Sequence, residues 1–273
     1  MLLLSIFISL ALATDILLAL SLSWSWWLAI LMFIVFIIGY VVVYALLCWL
    51  FAIFIPKNDE RPPRKFYTTI TRITCHFLIT IFNLKIIVIG KEQLKKIPAF
   101  LFISNHQSYF DPICQIGCYG RDDLTFIMKD NILKVPLIGN WLCSAGHLPL
   151  DRENNRNAII TIQKSVRRID QGYPIGAYPE GIRSKSKKLG EFKDGLFKVA
   201  VKAKQPIVVT IIDNAYRLKS RFPWRRTKIL LKVCRVIEYE EYQNMNTHQI
   251  SAMVREIIVK ELELARKEYL WLQ

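Results

Sequence analysis

One of the four histidines of this chain lies where its chemistry could be used. His106 belongs to the stretch SNHQSYFDP, in which Asp111 follows five positions later and Pro112 comes directly after it. A histidine whose Nδ1 proton is held by a carboxylate keeps a free Nε2 and can act as a general base. The same residues also fit a purely structural interpretation, with Asp111 as a helix N-cap and proline at the first helical position.

The two side chains meet only if the backbone between them turns. Five residues of α-helix rotate by about 500°, which would leave His106 and Asp111 about 140° apart on the helix surface. A turn over residues 107–110 would instead fold the histidine back over the start of the following helix. The spacing therefore allows a His–Asp pair at a helix start, or a helix cap without chemistry.

A second stretch whose residues could take part in binding or catalysis is AYPEGIRSKSKK, residues 177–188. An apolar run ends there in a proline, and Glu180, Gly181 and Arg183 follow. Glycine permits a tight turn or a close approach to a ligand, and arginine can bind a phosphate through two N–H groups. The structural alternative is a charged turn with an internal Glu–Arg pair.

Both stretches follow short apolar runs that are typical of buried strands. The predicted strands are residues 84–89, 99–104, 125–128, 146–150, 173–178, 206–212 and 229–237. Amphipathic helices are predicted between and after them, at 154–171 (Ile159, Ile162, Val166, Ile169), at 193–204 and at 247–272 (Ile250, Val254, Ile257, Ile258, Leu262, Ala265). This alternation predicts an α/β fold, a single domain with a mixed, largely buried sheet flanked by helices.

The first 56 residues have a different composition from the rest. They contain one charged residue, Asp15, whereas the whole chain has 37 basic and 22 acidic residues. The run Leu2–Leu22 is long enough to span a bilayer core, and Trp26–Ile55 is longer still. The tryptophans of the linking segment SLSWSWW suit a membrane–water interface. We therefore predict a membrane-embedded helical segment of one or two spans.

The sequence after the apolar segment predicts its orientation. Pro56 ends the second run, and the basic residues Lys57, Arg61, Arg64 and Lys65 follow. By the positive-inside rule, this flank and the body after it belong in the cytoplasm, at the cell membrane. Two alternatives concern the first run: cleavage as a signal peptide near Ala11–Ala13, which the absence of a preceding positive charge disfavours, and a position in the membrane plane, because Asp15 is costly at mid-bilayer.

Other functional classes lack their usual motifs. The net charge of +15 would suit nucleic acid, but the chain has no zinc-finger spacing, RNP-like motif or Walker A loop, so no nucleic-acid partner is expected. A serine hydrolase would need G-x-S-x-G, which is absent. The six cysteines show no metal-ligand spacing, and we predict no metal site and reduced thiols. His76 and His147 are interpreted as structural, and His248 is assigned no role.

Taken together, these stretches resemble the ordered motifs of the glycerolipid acyltransferases, and most of all the 1-acylglycerol-3-phosphate (lysophosphatidic acid) acyltransferases. The motifs are SNHQSYFDP, GHLPLDR (146–152), YPEGIRS and the proline-led strand PIVVTII, with FIMKDNILKVPLIG (126–139) and EFKDGLFKVA (191–200) as further similarities. The resemblance covers roughly residues 80–215. The first and third motifs are specific as an ordered pair.

The resemblance implies roles for individual residues. His106 matches the catalytic base, and Asp111 matches the carboxylate that orients it. Glu180, Gly181 and Arg183 match the acceptor-binding motif. Lys129 matches a second phosphate contact, and Arg152 matches the basic residue that closes the second motif and is linked to acceptor binding.

Three positions depart from the family pattern and concern the acceptor more than the reaction. Ile182 stands where threonine is usual, Asp130–Asn131 follows Lys129 in place of a glutamate-containing pattern, and Thr210 stands where a second proline is common. The implied reaction is transfer of a fatty acyl group from acyl-CoA or acyl-ACP to 1-acylglycerol-3-phosphate, forming phosphatidic acid in phospholipid biosynthesis without a further cofactor. The alternatives are another lysolipid or glycerol-3-phosphate as acceptor, or a catalytically silent lipid-binding scaffold.

The expected organisation has four parts. They are a membrane-embedded helical segment (1–56), a basic juxtamembrane linker and helix (57–79), the acyltransferase domain (80–246) and a C-terminal amphipathic helix (247–273).

Overall fold

The computed structural model describes residues 2–54, 62–135, 138–152 and 154–272. Of the basic flank that the sequence predicts, Lys57 and Arg61 lie outside the described residues, as does Pro56. The predicted division into four parts stays a prediction.

In this part of the chain, seven strands form one mixed sheet. The strands are β1 (Leu84–Ile89), β2 (Leu101–Ser104), β3 (Thr125–Lys129), β4 (Leu148–Leu150), β5 (Ile175–Ala177), β6 (Ile207–Asp213) and β7 (Thr227–Ile237). Their order across the sheet is β1-β7-β6-β2-β5-β3-β4. The strands β6, β2, β5, β3 and β4 run parallel to one another, whereas β7 is antiparallel to β6 and parallel to β1. The predicted α/β class with a mixed sheet is confirmed.

The described ranges also contain ten α-helices. They are α1 (Leu2–Leu22), α2 (Trp26–Ile53), α3 (Lys65–Ile81), α4 (Asp111–Cys118), α5 (Ile138–Ser144), α6 (Asn155–Asp170), α7 (Lys198–Ala203), α8 (Leu218–Arg221), α9 (Tyr239–Tyr242) and α10 (Thr247–Glu268). The start of α6 is capped by the Asn154 side chain, which accepts the N–H groups of Arg156 and Asn157. Asn246 and Gln249 form a reciprocal capping box at the start of α10.

Alternate residues of the strands face two separate cores, because successive side chains of a strand point to opposite sides of the sheet. In β6, Ile207, Val209 and Ile211 pack with α6, α7 and α10 on one face. Val208 and Ile212 pack with α3, α4 and α8 on the other face. The sheet is therefore covered on both sides, as the apolar strand sequences predict.

The helix α6 departs from its predicted core face at one position. Ile169 is buried and Ile162 and Val166 are partly buried, but Ile159 is 53% exposed. The neighbouring edge strand β4 has only three residues, so it offers little surface to cover the first turns of the helix. The predicted face of α10 is buried as expected, except that Ile257 is only partly covered.

The first two helices pack against each other and against α3. Phe7 of α1 contacts Tyr44 of α2 and Phe77 of α3 edge to face, and the Tyr44 hydroxyl hydrogen-bonds Thr74 of α3 at 2.6 Å. Both α1 and α2 are long and apolar enough to cross a membrane, and most of their large apolar side chains are exposed. Such surfaces call for an apolar environment, which supports membrane association.

Candidate active site

The predicted site residues follow the carboxyl ends of parallel strands, which meet at one edge of the sheet. His106 comes after β2, Glu180 and Arg183 come after β5, Lys129 ends β3, and Arg152 lies just beyond β4. Neighbouring strands lie about 4.8 Å apart. Because β4 is three strand positions from β2, this edge extends over roughly 14 Å from the histidine to the outermost arginine.

The predicted His–Asp contact is present. The backbone of residues 107–110 turns before α4, and the His106 Nδ1 lies 2.7 Å from the Asp111 Oδ2. The Asp111 side chain is fully buried, whereas the imidazole is 17% exposed. A carboxylate at this distance accepts the Nδ1 proton, so the ring is held in the tautomer with a free Nε2 that can take a proton from a substrate.

The structural alternative, with Asp111 as the helix N-cap, is wrong by one position. The helix α4 begins at Asp111 itself, and Phe110 is the N-cap residue. The Oδ2 atom of Asp111 instead accepts the backbone N–H groups of Gln107 (2.5 Å) and Ser108 (2.9 Å), which lie before the helix. The carboxylate therefore holds the loop as well as the imidazole. Burial raises the pKa of Asp111, and the hydrogen bonds from His106, Ser108 and Gln107 oppose that rise.

Glu180 links the two predicted motifs through their backbones. It is 4% exposed, and its Oε1 accepts the N–H of His106 at 2.6 Å while its Oε2 accepts the N–H of Gly190 at 2.7 Å. Burial raises the pKa of this carboxyl, and the two N–H groups oppose the rise. The return contact runs from Ser184 N to His106 O at 2.8 Å. The predicted pairing of Glu180 with an acceptor stays a prediction, whereas its contacts within the described residues position the histidine loop.

Tyr178 is a site residue that the sequence interpretation missed. Its ring stacks on the His106 imidazole with centroids 4.1 Å apart and planes 13° from parallel. Its hydroxyl donates to Gln115 Oε1 at 2.7 Å, and Gln115 Nε2 donates to Ser104 Oγ at 2.9 Å. An aromatic face favours the imidazolium that forms when the histidine accepts a proton. The position of Tyr178 two residues before Glu180 was the only available signal.

A second missed group connects the histidine loop to the C-terminal helix. Asp213, at the end of β6, is 1% exposed, and its Oδ1 accepts the side-chain N–H of Gln107 at 2.9 Å. Its Oδ2 accepts Arg266 Nε of α10 at 2.7 Å, and the same guanidinium donates to the Lys187 carbonyl at 3.0 Å. The motif PIVVTII ends one residue before Asp213. Its strand therefore contributes to the site through Asp213 and not through the apolar side chains of the motif.

Arg183 and Gly181 shape the loop after β5. The Arg183 guanidinium carbon lies 3.3 Å from the centroid of the Tyr109 ring, a side chain that is 73% exposed. Gly181 has a φ of 70°, and a Cβ there would approach Lys193 Cε at 3.2 Å. Glycine adopts this left-handed backbone at no steric cost, and this accounts for its place in the motif.

The remaining predicted basic residues lie on the outer part of the edge. Lys129 is exposed at the end of β3, and Arg152 is half-buried beyond β4. Burial lowers the pKa of Arg152, and the nearby charge of Asp130 opposes that shift. Asp130, one of the residues that depart from the family pattern, thus places a carboxylate near the two cations, where it reduces their positive electrostatic potential.

Backbone amides of the histidine loop and of Gly181 are candidates for stabilising an oxyanion, but they already have acceptors. The N–H groups of His106, Gln107 and Ser108 donate to Glu180 and Asp111, and that of Gly181 donates to the Tyr178 carbonyl at 3.0 Å. Each N–H makes one strong hydrogen bond, so these amides serve the loop architecture.

Two other histidines have partners of their own. His147 is buried, its Nδ1 accepts the N–H of Phe126 at 3.1 Å, and burial lowers its pKa to about 4. Its neutral, hydrogen-bonded state agrees with the structural interpretation. His248 lies at the surface with its Nδ1 2.9 Å from Asp194 Oδ2.

Comparison with known proteins finds a family whose model matches the part of the chain that contains this site. A family model described as Acyltransferase matches residues 85–213, which run from the second residue of β1 to the end of β6 and include every residue predicted for the site.

Individual relatives are also named as acyltransferases. A probable 1-acyl-sn-glycerol-3-phosphate acyltransferase of Mycoplasma genitalium is 30% identical over 65% of this chain and 69% of its own length. One of Mycoplasma pneumoniae is 32% identical over 61% of this chain, which spans only 63% of that relative. The crystal structure of the 1-acyl-sn-glycerophosphate (LPA) acyltransferase PlsC from Thermotoga maritima covers 73% of this chain and 79% of its own with a TM-score of 0.61 at 20% identity, a likeness of fold.

Proposed function

The chain belongs to the acyltransferase family, and from that premise we propose that it transfers a fatty acyl group from a thioester to the free hydroxyl of 1-acylglycerol-3-phosphate. The observation that carries the proposal is the His106–Asp111 contact at the carboxyl edge of the sheet, with Nε2 left as a base. The relatives that match over most of the chain carry the name of this activity. The acyl donor, acyl-CoA or acyl-ACP, is part of the proposal, as is the absence of a further cofactor.

The reaction requires one proton to move as one bond forms and another breaks. The acceptor hydroxyl is a poor nucleophile at neutral pH, so His106 Nε2 takes its proton while the oxygen attacks the thioester carbonyl. The tetrahedral intermediate then loses the thiolate by cleavage of the C–S bond. The imidazolium returns the proton to the thiolate, and the acyl group ends as an ester on the acceptor.

Asp111 and Glu180 have positioning roles in this proposal. Asp111 keeps the proton on Nδ1 and stabilises the imidazolium. Glu180 fixes the backbone of His106 against the loop after β5. The amides of Ile182 and Arg183 follow Gly181 in that loop, and we propose them as donors to the oxyanion in place of the engaged amides of the histidine loop.

Three cations are proposed to hold the acceptor phosphate. Arg183 lies nearest the histidine in strand order, and Lys129 and Arg152 extend the positive edge outward. Arginine binds phosphate oxygens through two N–H groups in a fixed geometry, whereas lysine acts as a point charge. The two apolar helices associate the chain with a membrane, and we propose that the site faces the cytoplasm, where both thioester donors occur.

The choice of acceptor is open to one specific alternative. Ile182, at the position where threonine is usual, is 72% exposed beside Arg183. An apolar side chain there could favour another lysolipid over lysophosphatidic acid. The persistence of the buried His–Asp pair argues against a silent scaffold, which would not need it.

The test is acyl transfer by the full chain in lipid nanodiscs. Labelled acyl-CoA and acyl-ACP are offered with lysophosphatidic acid, lysophosphatidylcholine or glycerol-3-phosphate as acceptor. We expect phosphatidic acid from lysophosphatidic acid, and a loss of about 10²–10⁴-fold in His106→Ala. His248→Ala removes the histidine of a similar surface pair and should keep activity within about twofold of wild type.

Other outcomes separate the parts of the proposal. Product only from another acceptor would replace the substrate and keep the mechanism. Activity that survives His106→Ala would remove His106 as the base. A folded wild-type chain that acylates none of the acceptors would overturn the proposed function.

A further inference from the structure

A short segment beyond the site combines basic and aromatic side chains that the proposed reaction does not use. We call residues 217–226 (RLKSRFPWRR) the basic loop; it contains the short helix α8. Five of its ten residues are arginine or lysine and none is acidic. Such a composition attracts anionic surfaces of several kinds, so its place in the fold has to identify the partner.

The basic loop exposes one large aromatic side chain. Trp224 is 89% exposed, the highest fraction of any large hydrophobic residue in the described ranges, and arginines follow it at 225 and 226. Phe222, two residues earlier, is 39% exposed. Tryptophan beside arginine is typical of the membrane–water interface, where the indole ring lies among headgroups and the guanidinium groups bind phosphates.

The basic loop is fixed to the same face of the sheet as the apolar helices. Leu218 belongs to the core cluster that α3 and α4 form with the sheet. The Phe222 ring lies 4.6 Å from that of Phe82, which directly follows α3, and Thr227 N donates to the Asn83 carbonyl at 3.2 Å. Because α3 also packs against α1 and α2, the basic loop adjoins the part of the chain that needs a membrane.

The opposite face of the sheet provides a comparison. Helix α7 carries Lys198 and Lys202, and it packs with α6 and α10 in the other core cluster. These lysines are equally basic but lie on the side of the sheet that does not carry α1 and α2. Charge alone does not distinguish the two faces; the attachment of the basic loop to the end of α3, through Phe222 and Thr227, does.

We propose that the basic loop is a second membrane contact, which binds an anionic lipid surface with Trp224 at headgroup depth and Arg225 and Arg226 on lipid phosphates. Together with α1 and α2 it holds the domain at two points. With one attachment, the helices and the body that is packed on them can tilt together in the bilayer, whereas two attachments fix which edge of the sheet faces the lipid. The proposal rests on membrane insertion of α1 and α2 and holds whichever acceptor the enzyme uses.

The experiment measures the depth of Trp224 by lipid quenching. The full chain and Trp224→Phe are placed in nanodiscs of phosphatidylcholine with about one third phosphatidylglycerol, whose acyl chains carry bromine near the headgroup or near the bilayer centre. The wild-type minus variant emission isolates Trp224. We expect the difference signal to be quenched at least twofold more by shallow than by deep bromine, and protected from aqueous iodide.

A matched pair of variants tests the charge. Arg225→Gln/Arg226→Gln should reduce the shallow quenching of Trp224 at least twofold, whereas Lys198→Gln/Lys202→Gln should leave it unchanged. Nanodiscs of phosphatidylcholine alone should act like the arginine variant. Each comparison is repeated with Trp224→Phe in the same background, so that other tryptophans cancel.

Three results would overturn the proposal. Quenching of the Trp224 signal by iodide and not by bromine would place the ring in water. A Trp224 signal that is unchanged both in the arginine variant and in the neutral lipid would remove the anionic partner. Absence of bromolipid quenching for every tryptophan would remove the membrane insertion on which the proposal rests.

Discussion

Two histidine–aspartate contacts of similar length occur among the described residues, in very different surroundings. His106 lies 2.7 Å from Asp111 at the edge of the sheet, and His248 lies 2.9 Å from Asp194 at the surface. The side chains of the first pair are 17% and 0% exposed, and those of the second are 82% and 38% exposed. The distance between the two groups is therefore a poor guide to what each pair can do.

The surroundings give the two aspartates opposite properties. Burial raises the pKa of Asp111, and its Oδ2 also accepts two backbone N–H groups. The hydrogen bond from His248 lowers the pKa of Asp194, which stays in water. A general base needs one tautomer in one orientation, and only the buried pair, with Tyr178 stacked on the ring, fixes both.

Replacing each aspartate by asparagine distinguishes the two pairs most directly. Asp111→Asn should lower kcat by about 10²–10⁴-fold, because a neutral amide does not stabilise the imidazolium that forms when His106 takes a proton. Asp194→Asn should keep kcat within about twofold. Equal losses in steady-state assays would contradict the distinction between the pairs.

The same two variants should differ in stability. A folded-state pKa above the unfolded value means that ionised Asp111 costs stability at neutral pH, so Asp111→Asn should match or exceed the wild-type Tm. A folded-state pKa below the unfolded value means that ionised Asp194 contributes stability above its unfolded pKa, so Asp194→Asn should lower the Tm slightly, and only slightly because solvent screens the pair. Thermal unfolding at pH 7 measures both.

Glu180 tests whether the histidine loop needs its second anchor. Glu180→Gln replaces one of the two acceptor oxygens by an NH₂ group, which faces a backbone N–H and loses a charge-assisted hydrogen bond of about 1.5–3 kcal/mol. If the loop loses its position to the same extent, activity should fall by about 10–100-fold. Glu191→Gln, at an exposed position, is the control and should act like wild type. Retention of full activity by Glu180→Gln would limit the anchor to a structural role.

Substitution of Arg183 tests whether this arginine binds the acceptor or takes part in the chemical step. Arg183→Lys keeps the charge but loses the two-pronged geometry, so KM for the acceptor should rise about tenfold while kcat changes much less. Lys188→Gln removes a charge from the same loop and should change KM by less than twofold. A fall in kcat at constant KM would assign Arg183 to the chemical step instead.

A third histidine extends the comparison to a buried imidazole without a carboxylate. His147 has a folded-state pKa of about 4 and an unfolded value of about 6.5. Above pH 6.5 both states are neutral and stability does not depend on this group. As the pH falls from 6.5 to 4, the unfolded state alone gains a proton, and the free energy of unfolding falls by up to about 3 kcal/mol.

His147→Gln measures this effect, because the glutamine oxygen can still accept the Phe126 N–H. The variant should unfold with a weaker pH dependence between pH 6.5 and 4 and have ordinary activity at pH 7. An unchanged pH dependence would mean that other groups dominate acid unfolding.

The strands were predictable because their signal is local. Runs such as LKIIVI and PIVVTII are apolar throughout, and a strand buried on both faces needs that pattern whatever surrounds it. The length and apolarity of α1 and α2 were equally visible. The exposure of Ile159 was not, because it depends on the neighbouring strand β4 having only three residues.

The site was only half predictable, for a related reason. The ordered motifs identified His106, Asp111 and Arg183, and the spacing of the first two showed that they could meet. The partners that hold them are distant in sequence: Glu180 is 74 residues from His106, and Arg266 is 53 from Asp213. No local pattern marks such pairs.

The sequence by itself therefore determined the class of fold, the apolar segment and the candidates for the reacting groups, all of which depend on residue type and short spacing. The tertiary structure alone decided which His–Asp pair is buried, that Glu180 and Asp213 hold the histidine loop, and that the basic loop adjoins α3. Hydrogen-bond strength and pKa depend on burial and on neighbours brought together by the whole chain, and these are properties of the folded arrangement.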